Sequence, residues 1–445
     1  MPQVAEQPDV MKQIEILSKQ IETQQKMIQL LRDQMQNLPG GSDAQAVRSA
    51  QRDLELSHAI DNIVEHQDSM ERYGPNLPAQ VKELFLPSGN SETPLTIAGA
   101  LAVGYSAFQS KAGAFYYGEF SPDFFVKLND WILLEAEIGI GSGGAVSNTF
   151  LQADFIAADW LTIIGGKFVA PIGFYNERLN NPWINKLPGD AGGSAPLPWL
   201  QVLPATQILG LQARGSFYLG KSPFKLEYAG YFGNGLNFTP APTDPGGIPT
   251  LNELSNLEGM TSTDVNVTGS LAFGGRLGLW YPEAGLEIGL SGLYNGPYVA
   301  GFTDSLALWA ADVNYHKGDW DVRAEYGMTH QQTQGFLPVG IIRQGVWAQI
   351  AYRPRDLEAR FLRNTEFVYR FGYNDFAGID PTKFDPATLP FGTPVDEPVQ
   401  RFQHEFGINY YFYPRMVLKF AYQVNIEPTF PLHDNQFMTE LAWGW

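Results

Sequence analysis

The spacing of apolar residues changes once along the chain. From Val10 to Leu38 it has a period of seven. One series is Ile14, Ile21, Ile28 and Met35; the other is Val10, Leu17, Gln24, Leu31 and Leu38. Steps alternating between four and three make the seam of a left-handed coiled coil, and Gln and Lys fill most outer positions. Four heptads predict a rod of roughly 40 Å at a rise of 1.5 Å per residue. A seam this narrow cannot bury itself within one chain, so it predicts self-association through Ile14, Leu17, Ile21, Gln24, Ile28, Leu31, Met35 and Leu38. The competing interpretation is one amphipathic helix packed on the rest of the protein. Isoleucine in one series with leucine in the other usually favours dimers, while a seam polar residue such as Gln24 can fix register and number.

Pro39-Gly40-Gly41-Ser42 breaks the rod. A second helix is predicted from Asp43 to Arg72, with Val47, Leu54, Ile60, Ile63, Val64 and Met70 as a loose apolar stripe. Tyr73-Gly74-Pro75 ends it, and a proline-bearing linker runs to Pro94. The expected organisation is therefore a coiled-coil segment over 1–39, a helix and linker over 40–93, and a third region over 94–445.

In that third region the period becomes two. Leu95, Ile97, Leu101, Val103 and Tyr105 alternate with small or polar residues, as do Phe124, Val126 and Leu128, and Ile132, Leu134, Ala136 and Ile138. Asn129-Asp130 between the last two runs is a tight-turn signal. About sixteen such runs begin near residues 94, 115, 131, 146, 160, 205, 222, 267, 283, 304, 318, 340, 358, 399, 415 and 434. Very short turns alternate with longer connections, the longest near 170–204, 234–266 and 375–398. Short turns at one end and long loops at the other describe an all-β transmembrane barrel of about 16 antiparallel strands. An even count places both barrel termini, and with them the helical segment, at the short-turn end, on the periplasmic side. A soluble β-sandwich is the alternative, but it would not direct Tyr352, Tyr369, Tyr373, Tyr410, Phe412 and Tyr422 outward near strand ends as an interfacial girdle does. The chain closes on Phe437, Leu441, Trp443 and Trp445 alternating with Met438, Glu440, Ala442 and Gly444, which resembles the terminal strand signal of outer-membrane barrels.

Composition agrees. Aromatics are 13% of the chain, with 46 Gly, a mixture that favours strands and tight turns. There is no cysteine, which excludes thiolate metal sites and thiol nucleophiles. A net charge of −18 argues against nucleic-acid partners. No window of about 18 apolar residues exists to make a transmembrane helix. The opening MPQVAEQPDV lacks the basic start and apolar core of a signal peptide, as expected of a mature form. The histidines, at 58, 66, 316, 330, 404 and 433, stand in no nucleophile motif, so a barrel enzyme such as a lipase or protease is not expected, nor is any cofactor or metal site.

The polar set of each strand should face a wet channel: Lys127, Glu135, Glu137, Asp154, Arg214, Lys225, Glu227, Arg276, Glu287, Asp321, Arg323, Glu325, Arg353, Glu366, Arg370, Glu405, Lys419 and Glu440. A charge turned to lipid would cost about 2–4 kcal/mol at mid-depth. Many of these groups should brace the wall in pairs, for instance Arg323 between Asp321 and Glu325. Arg343, Arg353, Arg355, Arg360, Arg363 and Arg370 suggest a basic strip along one third of the barrel. The long connection after the fifth strand, APIGFYNERLNNPWINKLPGD, offers Glu177, Arg178, Asn180, Asn181, Asn185, Lys186 and Asp190 for lining. It offers Phe174, Tyr175, Trp183 and Ile184 as anchors. It is expected to fold inward and set selectivity; an external cap is the alternative.

Residues 165–188, GGKFVAPIGFYNERLNNPWINKLP, resemble a segment of the phosphate-selective porin O and P family. So do Gly345–Arg353, Glu366–Arg370, and the pair His404–Tyr411 and Leu418–Tyr422, which is similar to that family's last hairpin. The resemblance covers about residues 94–445. It implies sixteen strands and a homotrimer in an outer membrane, and some members carry an N-terminal coiled coil. Phosphate specificity does not carry over, because it depends on basic ladders and the lumen charges here are of mixed sign. The expected function is passive diffusion of small hydrophilic solutes and ions, with lipid and lipopolysaccharide around the barrel. The rivals are a specific phosphate or organic-anion channel, and a tether whose rod reaches the cell wall or another envelope protein.

Overall fold

The computed structural model describes residues 95–109, 112–141, 146–179, 181–188, 207–237, 262, 266, 268–299, 301, 303–332, 340–377, 400–428 and 434–445. The predicted coiled coil, second helix and linker lie outside the described residues, as do Asn180 and Asp190.

Sixteen strands form one closed antiparallel ring. They are β1 (Leu95–Phe108), β2 (Ala114–Asn129), β3 (Ile132–Gly141), β4 (Val146–Ala158), β5 (Leu161–Val169), β6 (Gln207–Tyr218), β7 (Lys225–Asn234) and β8 (Leu271–Tyr281). The second half is β9 (Leu286–Asn295), β10 (Leu306–Lys317), β11 (Trp320–Gln331), β12 (Ile341–Tyr352), β13 (Thr365–Ala377), β14 (Gln400–Tyr413), β15 (Met416–Ile426) and β16 (Gln436–Gly444). Each strand pairs with its sequence neighbours, and β1 closes on β16 through Ala100↔Gly444 to Phe108↔Gln436. The expected strand count therefore holds. The thirteenth strand starts at Thr365 rather than near 358, because a single helical turn, Arg360–Arg363, occupies the connection that follows Pro354.

Connections alternate as predicted. At one end only two residues separate β2 from β3, β4 from β5, β10 from β11 and β14 from β15. The first of these turns is locked by the Trp131 amide donating to Asn129 Oδ1 at 2.8 Å. Between β8 and β9 a 3-10 turn ends on Gly285 at φ 66°, a left-handed conformation open to glycine at little cost. Both ends of the barrel, Leu95 and Gly444, lie at this short-turn end.

Side chains alternate across the wall. In β9, Leu286, Ile288 and Leu290 point out and Glu287 and Ser291 point in. Leu277 is 60% exposed and Leu290 63% exposed. Dozens of such residues girdle the ring, far beyond the apolar patch a water-soluble monomer tolerates. Outward aromatics gather at its borders. Trp320–Tyr352, Phe361–Tyr410 and Phe224–Tyr281 pair at the short-turn end, with ring centroids 4.6, 5.5 and 5.1 Å apart. Tyr105–Phe115, Phe273–Tyr294 and Tyr373–Phe402 do so towards the long loops, at 5.1, 5.1 and 4.8 Å. Such paired belts mark two interfaces with an apolar layer between them.

Replacing Leu277 by arginine is expected to destabilise the barrel by about 2–4 kcal/mol in denaturant titration of protein folded into phospholipid vesicles. A change below about 0.5 kcal/mol would show that this face does not meet hydrocarbon.

Candidate functional site

The connection from β5 to β6 begins at Ala170, and its described part, to Pro188, lies against inward-facing side chains. Its entry is a glycine turn. Gly173 has φ +62°, and a Cβ there would sit 2.6 Å from Glu325 Oε1. Without that atom the main chain closes on the wall. The Gly173 amide donates to Ser291 Oγ at 2.9 Å, and the amides of Phe174 and Tyr175 both donate to Glu325 Oε1, the latter at 2.8 Å. Trp347 Nε1 donates to the other oxygen of Glu325 at 3.0 Å. Phe174 and Tyr175 pack on the Trp347 ring at 5.7 and 5.5 Å.

One turn of helix, Tyr175–Arg178, then presents two charges. Arg178 Nη1 donates to both Glu287 oxygens, at 3.0 and 2.8 Å, and its Nη2 donates to Glu227 at 3.1 Å. Glu287 also accepts from Arg276 at 3.0 Å, and Arg276 grips Asp312 with both terminal nitrogens. Glu177 pairs with Arg214. A planar guanidinium suits the two-nitrogen contact of Arg276 with Asp312. Burial works against the charge on Arg178, but Glu287 and Glu227 outweigh it and keep the group above its ordinary range.

The segment ends further round the ring, against β11 and β13–β15. Lys186 Nζ donates to Glu366 at 3.0 Å with Asp321 3.9 Å away. Burial opposes that ammonium too, and Glu366 more than offsets it, raising its pKa above the usual lysine range. Glu366 is completed by Asn409 Nδ2 and Tyr411 Oη, each at 2.9 Å. Asn409 Nδ2 also donates to the Lys186 carbonyl at 2.7 Å, Lys419 donates to the Pro182 carbonyl, and Arg370 donates to Asn185 Oδ1 at 2.7 Å. Trp183 lies against Gly444, where a Cβ would come within 2.5 Å of its indole nitrogen. Ala100, Ala102 and Ala442 belong to the same buried cluster, so small inward residues on β1 and β16 make room for the ring.

The bonds of this segment thus reach β6, β7, β9, β11 and β13–β15, and Trp183 packs on β16. Phe174, Tyr175, Trp183 and Ile184 are buried. Glu177, Arg178, Asn185 and Lys186, expected to line a path, are each tied to a wall partner. On the strands Lys127, Glu135, Glu137, Asp154, Arg214, Arg276, Arg323, Glu366, Arg370 and Lys419 have inward positions.

Two expectations are corrected. Arg323 pairs with Asp321 at 2.6 Å, but Glu325 is taken by the loop amides. The six arginines make no strip. Arg343 and Arg370 are inward on β12 and β13. Arg353, Arg355, Arg360 and Arg363 belong to the β12–β13 connection, where Arg353 donates to the Arg363 carbonyl at 3.0 Å and lies over the Tyr411 ring at 4.3 Å.

Sequence reading missed Ser291, Asp312, Asn409 and Trp347. Alternation alone assigns all four to the inner face. A tryptophan at an inward position of an otherwise polar row was the signal that something docks there.

No protein-family model matches this chain, and no curated protein matches it. Solved structures do. The outer membrane channel DcaP of Acinetobacter baumannii aligns with a TM-score of 0.50 at 10% identity, over 79% of this chain and 97% of that one. Salmonella typhi OmpF, solved in complex with daunomycin, gives a TM-score of 0.50 at 10% identity, over 80% of this chain and 99% of that one. At these identities the likeness is one of fold, that of an outer-membrane porin barrel.

Substituting Arg178 by methionine leaves Glu227 and Glu287 buried with too little positive charge. It is expected to cost about 3–5 kcal/mol in denaturant titration and to open Lys186 to trypsin. Unchanged stability and resistance would show that this pairing does not hold the segment.

Proposed function

We propose that the protein is an outer-membrane porin, through which small hydrophilic solutes and ions diffuse passively past an inwardly folded loop. The observation that carries this reading is the loop itself. An apolar belt without shows where the barrel sits; a polar segment latched by charges to the inner wall explains why those charges face inward. Water reaches such a lumen, so charges there escape the cost they would meet in lipid. The short-turn end is then periplasmic. Residues 1–39 would stand there as a coiled coil, joined through 40–93 to a barrel over 94–445, and the assembly is a homotrimer embedded among lipid and lipopolysaccharide.

Charge bookkeeping favours a general pore over an anion channel. Arg323 is paired with Asp321, Arg370 with Glu405 at 3.6 Å, and Lys419 with Glu440 at 2.7 Å. A phosphate-selective porin of the O and P type needs a basic track, and here these three rungs each have a carboxylate partner. Three neighbouring strands, β2–β4, carry Asp123, Glu135, Glu137 and Asp154 inward. Lys127 is on the same face but reaches Asp130 in the turn, at 2.8 Å. The lumen therefore favours cations modestly.

In planar bilayers under a salt gradient the reversal potential should indicate weak cation preference, reduced in the double variant Asp123→Asn, Glu137→Gln. Clear anion preference would overturn this reading in favour of the phosphate-type channel. Removing residues 1–39 should leave the conductance of each barrel unchanged while converting triple insertion steps into single ones. Persistence of triple steps would remove the coiled coil from assembly.

A further inference from the structure

We propose that the β12–β13 connection is a lipid anchor: Leu357, Phe361 and Leu362 seat it in the periplasmic leaflet, and Arg360 with Arg363 holds the phosphate of an anionic phospholipid there. The porin reading above supplies only the name of the leaflet.

Residues 353–364 stand apart at the short-turn end, where every other connection between strands has two to six residues. The segment is firmly built. The amides of Arg363 and Asn364 close the single helical turn on the carbonyls of Ala359 and Arg360, at 3.0 and 3.1 Å. Arg353 Nε donates to the Arg363 carbonyl at the end of that turn, and the Thr365 hydroxyl donates to the Phe361 carbonyl at 2.8 Å. The Tyr411 amide donates to the Asn364 carbonyl at 2.9 Å and ties the segment to β14. Its side chains are therefore presented from a fixed frame.

That frame leaves large apolar side chains uncovered. Phe361 is 67% exposed, Leu357 43% and Leu362 41%. Phe361 stacks on Tyr410 at 5.5 Å, and Tyr410 packs on Phe412 at 5.1 Å. The Trp320–Tyr352 pair borders the start of the same connection. The uncovered surface is thus continuous with the outer aromatic border of the barrel. Side chains of this kind gain most where headgroups meet acyl chains.

The same turn carries cations. Arg360 and Arg363 are three residues apart, a spacing that makes neighbours on one face of a helical turn. Among the described residues no carboxylate pairs with either guanidinium, although Asp356 and Glu358 stand exposed in the same connection. Inside the barrel, by contrast, Arg178 and Arg276 are held by carboxylates. Guanidinium donors match the oxygens of a phosphate. A soluble anion would need the arginines alone. Exposed Phe361 and Leu362 beside them favour a ligand that brings acyl chains with its phosphate, so the occupant is a phospholipid.

The test offers full-length protein in detergent a mixture of phosphatidylglycerol and phosphatidylcholine and counts the retained lipids by native mass spectrometry. Wild type should retain phosphatidylglycerol preferentially. The double variant Arg360→Gln, Arg363→Gln should lose that preference, by about fivefold for each arginine removed. Arg360→Lys with Arg363→Lys should keep most of it, which separates lost charge from lost folding. The chain has no cysteine, so Leu362→Cys gives a unique site for a fluorophore. In vesicles it should be quenched by lipids bearing a nitroxide near the headgroup and shielded from aqueous iodide. Undiminished preference in the glutamine variant overturns the proposal, as does a fluorophore open to iodide. Displacement of phosphatidylglycerol by inorganic phosphate would show a soluble-anion site, and self-quenching between protomers a subunit contact; either replaces the lipid. Selective lipid retention without any conductance in planar bilayers would sink the porin reading and leave the anchor standing.

Discussion

An apolar layer offers no hydrogen bonds, and the rest of this structure follows from that. Every strand must find its donors and acceptors on neighbours at both edges, so the sheet has to close. Closure gives each strand one face outside and one inside. Leucine, isoleucine and aromatic side chains take the outer face, where they are exposed to a degree water would not permit. Charged groups are left with the inner face, and the paired register from β1 round to β16 fixes which of them become neighbours.

Inside, the problem is reversed. Carboxylates and guanidiniums crowd the inner wall and must be compensated. Some do so across strands, as Lys419 does with Glu440. Others recruit the β5–β6 segment, which brings Arg178 to β7 and β9 and Lys186 to β11 and β13. Its neutral amides serve Glu325. The loop is thus held by the wall's own acidic side chains.

Much of the barrel was legible because a period of two is a local property. Each strand start was found to within a few residues except at Thr365, where Pro354 and a single helical turn lengthen the connection. Inward assignments such as Arg276, Glu287 and Glu366 followed from the same alternation. The loop's anchors were legible as chemistry: aromatic residues beside charged ones in a connection too long for a turn. What could not be read was partnership. Arg323 has Asp321 and Glu325 equally near in sequence, yet only the fold shows that Glu325 is engaged by amides about 150 residues away.

The sequence by itself determined the class of the protein, because alternation, turn chemistry and a terminal aromatic strand depend on neighbours a few residues apart. It also determined which charges are confined to the interior. Tertiary structure decided which of those charges meet, since Arg178 with Glu287, Lys186 with Glu366 and Gly173–Tyr175 with Glu325 are contacts over more than a hundred residues. Only ring closure brings such positions within reach of one another, and no local pattern encodes the height at which a loop crosses.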